Sequence, residues 1–250
     1  MSRSMTLAHL PRRQAVVVFL AFALAYFFSA LVRAITATLS PTLTAEFQLN
    51  AQDLGLLAGG YFLGFSLTQL PLGRWLDRHG PKKVILAFLS VAVLGCLAFS
   101  WAESFQGLLA ARVLCGMGVS ACLMAPLTGY RRWFDAPTQL RTNSWMLMTG
   151  SFGMVAATLP VQWLMPIWGW RALFLMLGVM IALAMLLIFL LVPRWQTGQT
   201  AAASASADDD GSYRAIWRNR YFWRMTPIGF FSYGGMVAIQ TLWAGPWMTQ

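Results

Sequence analysis

The sequence predicts an all-α integral membrane protein: a six-helix bundle, a polar linker and a seventh transmembrane helix. Three observations carry that expectation. Apolar runs of about 20 residues, long enough to cross a bilayer as helices, recur along most of the chain. Of 250 residues, 58% are hydrophobic and only 10% charged, against about 25% charged in a soluble domain. The basic residues gather in alternate short connections, as the positive-inside rule requires.

The apolar runs place the first helix over 15–39, the second over 54–72 and the third over 84–101. The fourth is expected over 105–127, the fifth over 143–164 and the sixth over 170–192. The Ala/Ser-rich segment that follows carries the acidic run Asp208–Asp209–Asp210 and reads as a flexible linker. A seventh apolar segment runs over 222–244. Gly55, Gly59, Gly60 and Gly64 recur at helical spacing in the second helix, and Gly118, Ala121 and Ala125 in the fourth. Small residues on one stripe let helix backbones approach closely. That stripe reads either as ordinary packing or as a sliding contact.

With the N-terminus placed in the cytoplasm, all Lys and Arg residues except Arg33, Arg112 and Arg171 fall on the inner side, 15 of 18. The formal net charge of +10 is therefore read as membrane topology and not as nucleic-acid binding. Cys96, Cys115 and Cys122 all lie in apolar runs without zinc spacing and read as packing residues. The first apolar run is too long for a cleavable signal peptide. Neither His9 nor His79 has metal partners, and no hydrolase triad or nucleotide loop is present. No enzyme activity, metal or cofactor is expected; membrane lipid is an expected partner.

The inner connection between the second and third helices reads Gly-Arg-Trp-Leu-Asp-Arg-His-Gly-Pro-Lys-Lys, residues 73–83. Gly73, Asp77, Arg78, Gly80 and Lys82 resemble the signature loop of the major facilitator superfamily at the place where that family carries it. Trp75, Leu76 and Pro81 depart from its usual residues. Leu108, Arg112, Gly116 and Gly118 resemble the family's fourth-helix pattern, with Cys115 in place of a frequent glutamine, and the run 169–174 resembles the start of its sixth helix. The resemblance implies a twelve-helix fold made of two six-helix halves. Residues 1–193 would then be the N-terminal six-helix transmembrane bundle, 194–221 a cytoplasmic linker, and 222–250 the first helix of an incomplete C-terminal bundle. The chain is accordingly expected to be a fragment or a truncated product.

The resemblance also assigns roles. Gly73, Asp77, Arg78, Gly80 and Lys82 would form a conformational latch on the inner face. A carboxylate at a helix end can pair with arginine and accept backbone N–H bonds, a contact that holds one state and breaks in another. The plainer reading is that Arg78, Lys82 and Lys83 anchor the turn to anionic lipid. Arg112, with Gly116 and Gly118, would serve coupling or structure.

Arginine in hydrocarbon is costly and seldom faces lipid. Arg33 either snorkels to the outer interface or, if its helix continues to Pro41, lies inside the membrane and lines a cavity. Thr36, Thr38 and Ser40 would then extend a polar stripe. An arginine followed eight residues later by proline, as in Arg33 and Pro41, resembles the superfamily's organic-anion branch, which includes organophosphate antiporters and hexuronate carriers. That resemblance implies Arg33 as an anion ligand, for which the guanidinium fork is suited. Gln240 in the seventh helix is a second candidate for substrate binding; Gln69, Asn143 and Gln162 are lesser polar candidates.

The expected function is secondary active transport of a small organic anion, by alternating access in the complete protein and in a bacterial inner membrane. Glu46, Asp53 and Glu103 lie near the outer face and Asp77 and Asp135 near the inner one, so proton coupling would need an interface acid or one beyond residue 250, whereas an anion exchanger needs none. The alternatives are a non-transporting membrane adaptor and a proton-coupled carrier of a neutral solute.

Overall fold

The computed structural model of the protein describes residues 10–193 and 218–238. Gln240, the segment 194–217 and the N-terminal tail with His9 lie outside the described residues. The chain divides into two compact units, Met1–Trp195 and Gln196–Gln250. All elements are helical: α1 Arg12–Phe47, α2 Ala51–Ser100, α3 Phe105–Val119, α4 Ala121–Trp133, α5 Ala136–Ala156, α6 Leu159–Leu191, and, in the second unit, α7 Arg220–Ala238.

α1 outruns its expected end, passing through Pro41 to Phe47. Proline has no N–H to give the carbonyl four residues back. That carbonyl, on Ala37, instead accepts the Ser40 hydroxyl at 2.8 Å, so the helix continues. It stops at Gln48, whose left-handed backbone (φ 53°) turns its N–H back to the Thr44 carbonyl.

α2 begins with a reciprocal cap between Asn50 and Asp53 and contains both the second and third expected helices. One residue separates them. Gly80, at φ 78° and ψ 162°, is in a region essentially reserved for glycine. Pro81 then opens the second rod, where its missing N–H costs nothing. Most of the charged turn is therefore helical, and the connection is a single-residue hinge point. α3 and α4 together make one span of 29 residues, interrupted at Ser120, whose hydroxyl bonds the Met117 carbonyl at 2.8 Å.

The fifth helix differs most from expectation. α5 starts at Ala136 because Asp135 caps it, its carboxylate accepting the Thr138 N–H at 3.4 Å, and Pro137 suits the first turn. It ends at Ala156 because Ala157 and Thr158 form a turn, with Thr158 out of helical geometry (φ −95°, ψ −106°), and Leu159 and Pro160 already open α6, where proline's missing N–H costs nothing. The expected span 143–164 is thus shared between α5 and α6. α6 breaks at Gly169 (φ 74°, ψ 162°), and its second rod coincides with the sixth expected helix.

Among the described residues, four helical stretches are long and apolar enough to cross a membrane: Arg12–Phe47, Ala51–Ser100, Phe105–Trp133 and Leu159–Leu191. The 50 residues of α2 form two rods, each at least about 30 Å long at 1.5 Å per residue, the thickness of the hydrocarbon layer. α5 is not in that set, since its first turns carry Gln139, Arg141 and Asn143. In the first unit α2 packs most extensively on α3, and its other main contact is α6; α1 packs on α5 and α6. Gly64, Gly116 and Gly118 bring α2 and α3 together: a Cβ at each would run into the backbone of Val113, Tyr61 and Ala92 respectively. Gly55 and Gly59 of the expected stripe face open space.

Candidate functional site

The close approach of α2 to α3 seats Tyr61 over Arg112. α3 is capped by Ser104, whose hydroxyl accepts the Gly107 N–H at 3.2 Å, and this sets the register that carries Arg112 inward. Arg112 is 1% exposed, and its guanidinium carbon sits 4.9 Å from the centre of the Tyr61 ring. Nη1 donates to the Val32 carbonyl of α1 at 2.9 Å, while Nε has no partner. Thr36, one turn further along α1, is buried with an unpartnered hydroxyl.

Arg33 follows Val32 directly. It is partly buried, within electrostatic reach of Tyr61, and makes no hydrogen bond or ion pair with the described residues. Three helices thus converge two cations, a phenol and a hydroxyl. An ion pair lies elsewhere, between Glu46 and Arg171. A carbonyl and an aromatic face reduce the cost of burying the Arg112 charge without cancelling it. The remaining positive field suits an anion.

The expected stripe of hydroxyls on α1 does not persist. Thr38 donates to the Ala157 carbonyl at the end of α5 (2.6 Å), Ser40 to its own helix, and only Thr36 stays unspent beside the arginines. Tyr61 was not singled out by sequence reasoning. Its signal was available: a phenol set between the packing glycines Gly60 and Gly64 in an otherwise apolar run.

The charged turn is a separate constellation, about 28 Å along α2 from Tyr61 at 1.5 Å per residue. Gly73 is exposed with open space around it, and Gly80 is the break. Lys82 Nζ donates to the Val192 carbonyl at 2.6 Å, at the C-terminal end of α6, and lies 5.5 Å from the Phe189 ring centre. Asp77 and Arg78 are exposed and make no ion pair among the described residues. Gly116 and Gly118 are contact points between helices, meeting Tyr61 and Ala92. Gln69 and Asn143 are partly buried and Gln162 is exposed, all away from Arg112's hydrogen bonds.

On the opposite rim, Glu46 at the end of α1 accepts Trp170 Nε1 at 2.6 Å and Arg171 Nη1 at 2.5 Å. Arg171 Nη2 also donates to the Ala102 carbonyl, and its own carbonyl accepts the Ser100 hydroxyl. The arginine that broke the inward bias therefore ties the ends of α1 and α2 to the break in α6.

Helices long and apolar enough to cross a membrane, packed around a buried arginine, define a polytopic membrane bundle. The sequence profile of the Major Facilitator Superfamily matches residues 22–250, and the chain belongs to that family. The hexuronate transporter of Escherichia coli (strain K12) is 27% identical over 207 residues, 77% of this chain and 48% of that protein. The 4-hydroxybenzoate transporter PcaK of Pseudomonas aeruginosa is 29% identical over 157 residues, 60% of this chain and 34% of that protein. The cis,cis-muconate transport protein of Acinetobacter baylyi is 26% identical, over 77% of this chain and 49% of that protein. The chain spans about half the length of the curated relatives it matches. The fold is shared with a bacterial homologue of the human lysosomal transporter Spinster, solved in an inward-facing, occupied conformation: TM-score 0.66, 21% identity, 78% of this chain and 49% of that one.

Proposed function

We propose that this chain forms the first half of a secondary carrier for a small organic anion, working by alternating access in the complete transporter. The observation that supports it is Arg112: a fully buried cation with one carbonyl partner, one aromatic partner and no carboxylate, beside Arg33. Hexuronate, 4-hydroxybenzoate and cis,cis-muconate, named in the relatives' descriptions, are all carboxylates. Arg33 is the ligand for the carboxylate, because it is less buried and uncommitted; Arg112 supplies the field behind it. Gln240 is a further ligand from the second half.

In this reading residues 1–193 are the first bundle, 194–221 the cytoplasmic linker and 222–250 the first helix of the second bundle. The N-terminus and the Gly80 turn face the cytoplasm of a bacterial inner membrane. Asp77 and Arg78, with Gly73 and Gly80 shaping the turn, form a latch towards the second half, while Lys82 anchors that turn to α6. Gly116 and Gly118 hold Arg112 in register.

Binding separates this reading from an adaptor. The purified chain should show saturable binding of a hexuronate or an aromatic carboxylate and none of the corresponding neutral sugar. Arg33→Ala should lose at least about tenfold in affinity, the loss of one charge-assisted pair. Equal binding by Arg33→Ala removes Arg33 from the site, and equal binding of the neutral sugar removes the anion preference.

A further inference from the structure

The two rods of α2 enclose a groove of about 490 Å³ whose lining includes neither Arg112 nor Val32. Trp75 walls one side, Ala87, Phe88 and Val91 the other, and Met117 of α3 lies at the bottom. His79 and Lys83 stand at the end next to Gly80. Trp75 packs on Phe88 at 5.8 Å between ring centres, yet stays 41% exposed.

The dimensions are those of one lipid leaflet. From Lys83 to Val91 the second rod rises about 12 Å, and from His79 back to Thr68 the first rod rises about 16 Å. Half the hydrocarbon thickness of a bilayer is about 15 Å. The groove therefore runs from the membrane surface at the Gly80 turn to near the midplane. Its mouth is cationic and its depth apolar, with an interfacial tryptophan at the boundary.

Two polar groups at the mouth, Lys83 and His79, are uncommitted. Lys82 is spent on the Val192 carbonyl, but Lys83 and His79 are exposed and make no hydrogen bond or ion pair with the described residues. Asp77 is the neighbouring carboxylate. At 3.6 residues per turn it lies about 160° to 200° around the rod from Trp75 and His79, on the opposite face.

We propose that this groove is a binding site for one anionic phospholipid of the leaflet bordering the Gly80 turn. One acyl chain lies along Phe88 and Val91, and the headgroup phosphate rests on Lys83 and His79. An apolar floor that ends in a lysine ammonium and an imidazole at the bilayer surface matches an anionic amphiphile at both ends, its chain by the floor and its headgroup by the charge and hydrogen-bonding groups. The proposal stands apart from the transport reading, since it uses neither Arg33 nor Arg112.

The test is native mass spectrometry of the purified 250-residue chain, given equal amounts of phosphatidylglycerol and phosphatidylcholine. One phosphatidylglycerol should be retained per chain, preferred by about fivefold or more. Lys83→Glu should abolish the preference. Ala87→Trp, at an exposed position, should fill the groove and remove retention of both lipids. A phosphatidylglycerol carrying a diazirine on its acyl chain checks the place without any variant, and should label the peptide around Ala87–Val91. Equal retention of the two lipids, an unchanged Lys83→Glu preference, labels spread over all outward helix faces, or cross-links from this face to a second protein copy would each overturn the proposal.

Discussion

Arg112 occupies a position where a positive charge is a liability to folding. It replaces lost water with one carbonyl, on Val32, and the face of Tyr61, and leaves Nε without a partner. A buried charge so placed is expected to cost stability relative to an apolar side chain of similar length. Arg112→Met should therefore leave the bundle as stable or stabilise it by about 1 kcal/mol, read as a higher unfolding temperature in detergent, while organic-anion binding falls at least tenfold. A clear loss of stability instead would mark the arginine as structural. Tyr61→Phe keeps the aromatic face under the guanidinium and removes only the hydroxyl, so it should change anion affinity by less than about threefold. The arginine was legible in the sequence as a cation inside an apolar run. Its meeting with Tyr61, Val32 and Thr36 was not, because these come from two other helices whose rotation no local pattern states.

The helices of this protein are long because their interruptions are single residues. Gly80 and Gly169 break α2 and α6 with nearly the same backbone, φ 78° and 74° with ψ 162° in both. Each break is then held by a side chain just beyond it: Lys82 on the α6 terminus, Trp170 and Arg171 on Glu46. Gly169 has nothing within 4 Å of an added Cβ. Gly169→Ala thus tests backbone strain alone, and should destabilise by about 1–3 kcal/mol. Gly73→Ala, equally open but at an ordinary helical position, should be neutral or slightly stabilising. Equal effects of the two in a thermal unfolding assay would show that the Gly169 conformation is not held. The Glu46–Arg171 pair is exposed by 37–43%, so it is worth no more than about 1 kcal/mol as an ion pair. Helix breaks were placed approximately by the sequence at the charged turn and before Trp170. The fifth helix differs from the expected span because hydropathy follows the apolar stretch, whereas the Asp135 cap and the turn at Ala157–Thr158 set the ends.

At the scale of the molecule, the transport reading needs the Gly80 turn and the Glu46–Arg171 rim on opposite sides of the membrane. Cys96, Cys115 and Cys122 are all fully buried, so the native protein offers little background to a membrane-impermeant maleimide. Glu103→Cys should label from outside intact cells, and His79→Cys only in inverted vesicles. The reverse pattern would invert the topology and the latch reading with it. Apolar length, the clustering of Lys and Arg and the charged turn were enough to determine, from the sequence alone, a helical membrane bundle of this family, because those features depend on what each segment meets, lipid or water, and not on which segment lies beside it. Which residues gather into a site was decided only by tertiary structure. Arg112 meets Val32 and Tyr61 because glycines let α2 and α3 touch, the hydroxyls of Thr38 and Ser40 are withdrawn to nearby carbonyls, and Lys82 parts company with Lys83, all consequences of helix rotation and contact between segments distant in the chain.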